Sequence, residues 1–269
     1  MRAFAYHFGL EFRAGVRNAS HMLMNYLFPL GCYVLFGALL GQINPGFLKT
    51  IVPAMSLFAL LSGAMLGMPD ALVDARNAGV FRSFKVNGVP ALSLLAIPVL
   101  TSVLHAMVVT ALIATTAPLL FHGTLPANWP GFALVFLVAA FAVAGLGALI
   151  GVVSSNSRMT VLLTQLVFLP SMILGGLMLP SSVLPDSLVA ISRLLPTTYA
   201  MDAFAGLAMG RGGQHPWLSL AVLLTGGILA LALAVALFSW DSRGATRRAH
   251  PAWAAVALLP YLAGMALAI

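Results

Sequence analysis

Six runs of predominantly apolar residues succeed one another along the chain, each near the length of about 20 residues that a helix needs to cross the hydrocarbon core. They occupy roughly residues 22–41, 51–69, 90–120, 130–153, 159–179 and 216–240. The pattern predicts an all-α polytopic membrane protein with six transmembrane helices. The third run is overlong and carries Pro98 and Pro118, which predicts tilt, a kink or a helical extension beyond the membrane rather than a longer straight span. Residues 252–269 form a further apolar stretch behind Arg247, Arg248 and His250, interrupted by Pro260. That tail either crosses as a seventh span, with the carboxyl terminus outside, or lies as an interfacial or re-entrant segment.

Three segments fall outside these runs. In residues 2–20, Phe4, Phe8, Phe12 and Val16 share one helical stripe, while Arg2, Tyr6, Arg13 and Arg17 fall opposite. The stripe predicts an amphipathic helix at the membrane surface; the plainer alternative, compatible with it, is a positively charged flank that merely orients the first span. Residues 70–88 are the most polar stretch after the amino terminus. Asp70 and Asp74 suit the positive end of a short helix begun near Pro69, with Gly79 as its stop. Phe81 and Phe84 then alternate with Arg82 and Lys85, either as a docking surface of aromatic anchors and cations or as aromatics tucked against the bilayer with cations on lipid phosphate. Residues 180–213 are half apolar but broken by Pro180, Pro185 and Pro196. Two short helices, at about 186–195 and 197–209, fit them better than one span; with odd-numbered spans leading outward they form an outer re-entrant helical hairpin that dips into the outer leaflet where it packs against protein.

Composition narrows the class. Of 269 residues, 61% are apolar and 7% charged, and the mean hydropathy is +1.03, which excludes a soluble domain. A formal charge of +7 in a soluble chain would suggest nucleic acid, but here the cations stand at helix ends, as on the cytoplasmic side of a membrane protein. With the amino terminus in the cytoplasm, the inner segments hold Arg2, Arg13, Arg17, Arg76, Arg82, Lys85, Arg158, Arg243, Arg247 and Arg248. Only Lys49, Arg193 and Arg211 fall outside. The first run, preceded by a long amino-terminal segment and followed by no small-residue cleavage site, reads as a retained span. Cys32 is the single cysteine, so neither an internal disulfide nor a cysteine-based metal site can form. No repeat or linker divides residues 1–269, which form one membrane domain.

Isolated polar residues within the runs are Asn25, His105, Thr164 and Gln165. His105 reads either as a proton relay or as a neutral side chain hydrogen-bonded across helices; no carboxylate is expected at its depth. Thr164 and Gln165 read as interhelical contacts or as the lining of a path. The spans carry no buried acid once Asp70 and Asp202 are placed at their borders, which disfavours ion-coupled transport. The Gly41–Gly46 pattern continues as Phe47 and Leu48, without the Lys and Ser/Thr that hold phosphate and metal. No hydrolase motif appears either, so no enzyme is expected in this chain.

The surface helix, the six spans, the charged loop after the second and the segment LPSSVLPDSLVAISRLLPTTYAMDAFAGLAMG before the last resemble permease subunits of type 2 ATP-binding cassette exporters. The likeness extends to about residue 245. Its most specific part is Leu179 to Gly210, through Pro180, Leu184, Pro185, Leu195, Pro196 and Tyr199, with DARNAGVFRSFKVNGVP as a weaker match. The tail 252–269 departs from the usual six spans. The resemblance implies a dimeric channel, built from a second copy or a related permease, above separate ATPase subunits that bind the ATP and magnesium; this chain itself holds no cofactor. It implies that residues 70–88 couple to the ATPase through Arg76, Phe81, Arg82, Phe84 and Lys85. The outer hairpin, carrying Pro180, Pro185, Pro196 and Tyr199, would cap the exit.

The function expected is export of an amphipathic drug, lipid or glycan across a bacterial cytoplasmic membrane, with lipids and ATPase subunits as partners and no nucleic acid. The alternatives are a proton-coupled carrier and a non-transporting membrane scaffold or assembly factor.

Overall fold

A computed structural model describes residues 8–9, 12–13, 15–179, 183–240 and 250–267. Arg2, Phe4, Tyr6, Pro180, Arg243, Arg247 and Arg248 lie outside the described residues. Among those described there is no strand. Six helices are long and apolar enough to cross a membrane. They are α1 (Ala19–Ile43), α2 (Ile51–Asn77), α4 (Ala91–Phe121), α5 (Trp129–Val153), α6 (Ser157–Leu174) and α9 (Pro216–Ala236). Between them stand α3 (Val80–Val86), α7 (Asp186–Ser192) and α8 (Pro196–Ala203). Successive spans run antiparallel, so α3 marks one end of the bundle, here the loop end, and α7 and α8 mark the other, the hairpin end.

The overlong third run is one unbroken helix. At about 1.5 Å per residue, the 31 residues of α4 reach roughly 46 Å, well beyond a hydrocarbon core of about 30 Å. Pro98 and Pro118 both lie inside it. It stops where His122 takes a left-handed conformation, φ 52°.

α5 is the axis of the bundle. Its glycines let neighbouring backbones approach, as small residues do between membrane helices. A Cβ on Gly145 would lie 3.1 Å from the Gly227 carbonyl of α9, one on Gly151 would lie 3.0 Å from the Pro69 carbonyl of α2, and one on Gly147 would collide with the Ala64 carbonyl. α2 is buried over most of its length, whereas α1 and α6 leave most of their apolar surface uncovered.

α1 and α2 each contain a π-helical turn, Leu23–Leu27 and Ser62–Gly67. The two turns face one another: Ser62 Oγ donates to the Met24 carbonyl. The second turn precedes Pro69, whose missing N–H would leave a regular helix one bond short. α2 therefore runs on through Pro69 to Asn77, and the separate helix expected to begin there is the end of the second span.

The tail is helical too. A 3₁₀ run, Pro251–Leu258, leads into α10, Leu259–Leu267. Pro260 sits in the first turn of α10, where a proline costs no hydrogen bond. The buried or half-buried positions Ala254, Ala257, Tyr261 and Gly264 recur every three or four residues, forming a stripe against α9. Tyr261 fills the notch left by Gly226, and Gly264 approaches Val222, so the tail runs antiparallel to α9. Eight 3₁₀ residues and nine α residues extend roughly 30 Å at about 2.0 and 1.5 Å each.

Candidate functional site

The loop end is assembled around a buried arginine. Asn77 ends α2, and Gly79, at φ 76°, reverses the chain into α3, a conformation that a side chain with a Cβ adopts only at a cost. One turn earlier, Arg76 is only 6% exposed. Its guanidinium donates to the Val152 carbonyl at 3.0 Å and to the Ser154 carbonyl, at the negative end of α5. The resemblance would make Arg76 an ATPase contact; the geometry gives it an internal role, riveting α2 to α5.

α3 is amphipathic. Phe81, 6% exposed, packs on Phe238 at 5.2 Å between ring centroids, and Phe238 meets Trp240 edge-on at 5.1 Å. Phe84 is half-buried, while Arg82, Lys85, Val86 and Asn87 face outward. Gly88, at φ 71°, closes the helix: Val89 N–H donates to the Phe84 carbonyl and Gly88 N–H to the Lys85 carbonyl, both at 3.1 Å, the paired bonds of a Schellman stop. The aromatic and cationic residues that alternate in sequence are thus sorted, rings inward against protein and cations outward.

Beside α3 lies a cavity of about 110 Å³. Its polar lining is His21 and Asn25 of α1 with Thr101, Ser102 and His105 of α4, and Leu72, Phe84 and Leu94 are among its apolar walls. His105 is buried, and its Nδ1 lies 2.6 Å from the Tyr26 hydroxyl. Phe12 stacks on the imidazole at 4.6 Å, with planes 7° apart, and a Cβ on Gly15 would lie 3.0 Å from Nε2. His105 is thus hydrogen-bonded across helices and covered by the amino-terminal segment.

Described residues between 8 and 17 are helical, and Asn18 breaks that helix from α1. The Asn18 side chain accepts from the Ser20 and His21 N–H groups at 2.9 and 3.3 Å, as an N-cap does. Phe12, on the apolar stripe, turns into the protein at His105, whereas Val16 and the cations Arg13 and Arg17 are exposed.

Thr164 bonds within its own helix, to the Thr160 and Val161 carbonyls at 2.9 and 3.0 Å, and does not bridge helices. Gln165 Oε1 is buried without a hydrogen-bond partner among the described residues. Thr101 and Ser102 do not stand out in the sequence because hydroxyls are common in membrane helices. Their spacing of four and three from His105 was the available signal, since it sets all three on one face.

At the hairpin end, α7 follows Pro185, and α8 begins on Pro196 and continues through the π-helical turn Phe204–Ala208. The two expected short helices are present, the first ending at Ser192. Leu195, Pro196 and Tyr199 are buried. Tyr199 donates to the Tyr261 carbonyl at 3.0 Å, tying α8 to the tail.

Asp202, which the sequence marked only as a border residue, organises the start of α9. Its carboxylate accepts from Gln214 N–H at 2.6 Å, His215 N–H at 3.2 Å and Ser219 Oγ at 2.7 Å, the placement that a helix N-terminus favours for an anion. Arg211 donates to the Lys49 carbonyl at 2.8 Å. A basin of about 670 Å³ opens here, with Asn44, Arg193, Asp202 and His215 among its lining.

Comparison with known proteins follows the same division of the chain. The family model for ABC-2 type transporters matches residues 5–209, from the amino-terminal segment to the end of the hairpin. The chain is 22% identical over 221 residues to "Putative transport permease YvfS" of Bacillus subtilis (strain 168), an alignment covering 80% of this chain and 88% of that protein. No solved structure matches.

Proposed function

Because the chain belongs to the ABC-2 type transporter family, as an integral membrane permease, we propose that it is the channel-forming half of an ATP-driven exporter whose nucleotide is bound and hydrolysed by a separate subunit docked on α3. The observation that carries this reading is the construction of the loop end. α3 turns Arg82 and Lys85 outward while Phe81 is plugged beneath Phe238 and Arg76 is bonded to the last carbonyls of α5. A surface that is charged outside and locked inside transmits a push instead of absorbing it, because packed interfaces shift between discrete arrangements and do not deform continuously.

In this reading the loop end is cytoplasmic, the amino terminus lies on the same side, and the hairpin end faces outward. The membrane is the cytoplasmic membrane of a bacterium. Closure of the ATPase subunits displaces α3, and α2 and α5 move with it as one body, shifting the balance between inward-open and outward-open forms. A second copy of the chain, or a related permease, completes the channel along the sparsely covered faces of α1 and α6. The cargo is amphipathic. The hairpin with Pro180, Pro185, Pro196 and Tyr199 caps its exit, and the basin held by Asp202 is its vestibule.

The test is reversal of charge on the outward face. Arg82→Glu with Lys85→Glu is expected to abolish co-purification with the ATPase subunit while the permease still accumulates in the membrane. Undiminished association and ATP-driven efflux in that double variant would reject the docking surface. Efflux that persists after the ATPase is disabled would reject primary transport altogether, and His105→Ala would then decide for the proton-coupled carrier.

A further inference from the structure

The cavity beside α3 has features that helix packing alone does not require. It lies where the two π-helical turns meet, and such turns cluster at functional sites because their extra residue redirects side chains. The turns bring hydrogen-bonding side chains of α1 and α4 together over the Gly63 backbone of α2. Asn25 directs its Nδ2 to the His21 carbonyl at 2.9 Å, and its Oδ1 rests over the Cα of Gly63, beside Ser102 Oγ. Gly63 leaves room there: a Cβ at that position would lie 3.3 Å from Ser102 Oγ and would collide with Asn25 Oδ1. Thr101 and His105 continue the polar wall.

Two properties of the cavity define what it accepts. Among the described residues that line it there is no Asp, Glu, Lys or Arg, so a charged group entering it would lose hydration without meeting a counter-charge from them, a penalty of several kcal/mol at least. An uncharged group bearing hydroxyls loses far less, because hydroxyl, amide and imidazole groups donate and accept in turn. The volume of about 110 Å³ is several times what a single water needs and gives room for a moiety of glycerol size. Leu72, Phe84 and Leu94 supply an apolar side against which the first methylenes of a hydrocarbon chain can lie.

We propose that this cavity binds the small, uncharged, hydroxyl-bearing headgroup of a single-chain amphiphile, of glycerol size, presented from the bilayer leaflet at the loop end. The proposal deepens the permease reading, on which its role in transport rests. Phe84 belongs both to the cavity wall and to α3, so the occupant would be felt by the element that the ATPase is proposed to grip. Gly15 of the amino-terminal segment is part of the lining, and Phe12 stacks on His105.

The test uses the full chain in phosphatidylcholine liposomes without any ATPase subunit. The probe is a monoacylglycerol carrying a diazirine on the chain carbons nearest the headgroup, compared with the fatty acid anion and the alkyltrimethylammonium cation of the same chain. Photolabelling by the monoacylglycerol is expected to saturate and to map to peptides containing Leu72, Phe84 and Leu94, with both charged probes far weaker. Ser102→Ala is expected to weaken labelling about fivefold, as loss of one neutral hydrogen bond does, and Ala71→Met, which fills the cavity, to abolish it. Equal labelling by all three headgroups, no labelling by the monoacylglycerol, or labelling unchanged in either variant would overturn the proposal. Since no nucleotide enters this assay, failure of the coupling reading leaves its result standing. ATP-driven export that proceeds without any such labelling would remove the site and leave the coupling intact.

Discussion

The hydroxyl of Tyr199, in the second helix of the hairpin, donates a hydrogen bond of 3.0 Å to the backbone carbonyl of Tyr261, in the carboxyl-terminal tail. The bond joins the most specific sequence motif of the chain to a segment beyond the residues that match the family. Loss of a buried neutral hydrogen bond costs about 1 kcal/mol, so Tyr199→Phe is expected to lower the thermal unfolding midpoint by a few degrees. In a chain lacking residues 251–269 the same substitution should have almost no effect. A double-mutant cycle on unfolding midpoints measures the coupling; additive effects would show that the bond carries no stability.

The length of the tail and its antiparallel course along α9 predict that it crosses the membrane as a seventh segment. With Cys32→Ser as background, cysteine introduced at Ser83 should react with a membrane-impermeant maleimide only after the cells are opened. Cysteine at Ala266 should react in intact cells. Protection of Ala266→Cys in intact cells would return the tail to the inner surface.

Arg76 closes the last turn of α5 through the Val152 and Ser154 carbonyls. Arg76→Met leaves both carbonyls without the guanidinium, at a cost of about 2–3 kcal/mol for bonds to a charged group, and loosens the loop end of α2 from the end of α5. The expected result is an ATPase that still binds but no longer speeds up when cargo is added. Arg76→Lys, which offers one cationic centre instead of a planar fork, should fall between. Cargo-stimulated ATPase activity of the reconstituted complex is the readout.

Gly147 faces the Ala64 backbone so closely that a Cβ would collide with the carbonyl, whereas a Cβ on Gly31 meets nothing within 4 Å. Gly147→Ala is therefore expected to destabilise by about 1–3 kcal/mol, as overpacking does, and Gly31→Ala to be neutral or slightly stabilising, since alanine favours the helix. Detergent thermal melts of the two variants compare them directly.

Much of the architecture was legible in the chain. The six spans follow from the length of apolar runs, because a helix must satisfy its own backbone in lipid and needs a set number of residues to cross. The break at Gly79 and the short hairpin helices around Pro185 and Pro196 follow from local backbone chemistry. The hydrogen-bonded His105 was one of two readings open in the sequence. Its partner Tyr26, 79 positions away, was invisible there, as was the bond from Tyr199 to Tyr261.

The sequence by itself determined the solvent of this protein, the number of long spans and the sites of its turns, since these depend on composition and on forces acting within a few residues. Only the tertiary structure decided which side chains face which neighbours. It turned Arg76 and Phe81 inward while Arg82 and Lys85 stayed out, set two π-helical turns beside one cavity with a polar wall, and made Asp202 the anchor of α9. Those outcomes depend on helix rotation and register, which are set by the fit of one helix against the next. In a chain that is apolar on nearly every helical face, hydrophobicity leaves that rotation unspecified, and small residues such as Gly145, Gly147 and Gly226 fix it through contacts between distant segments.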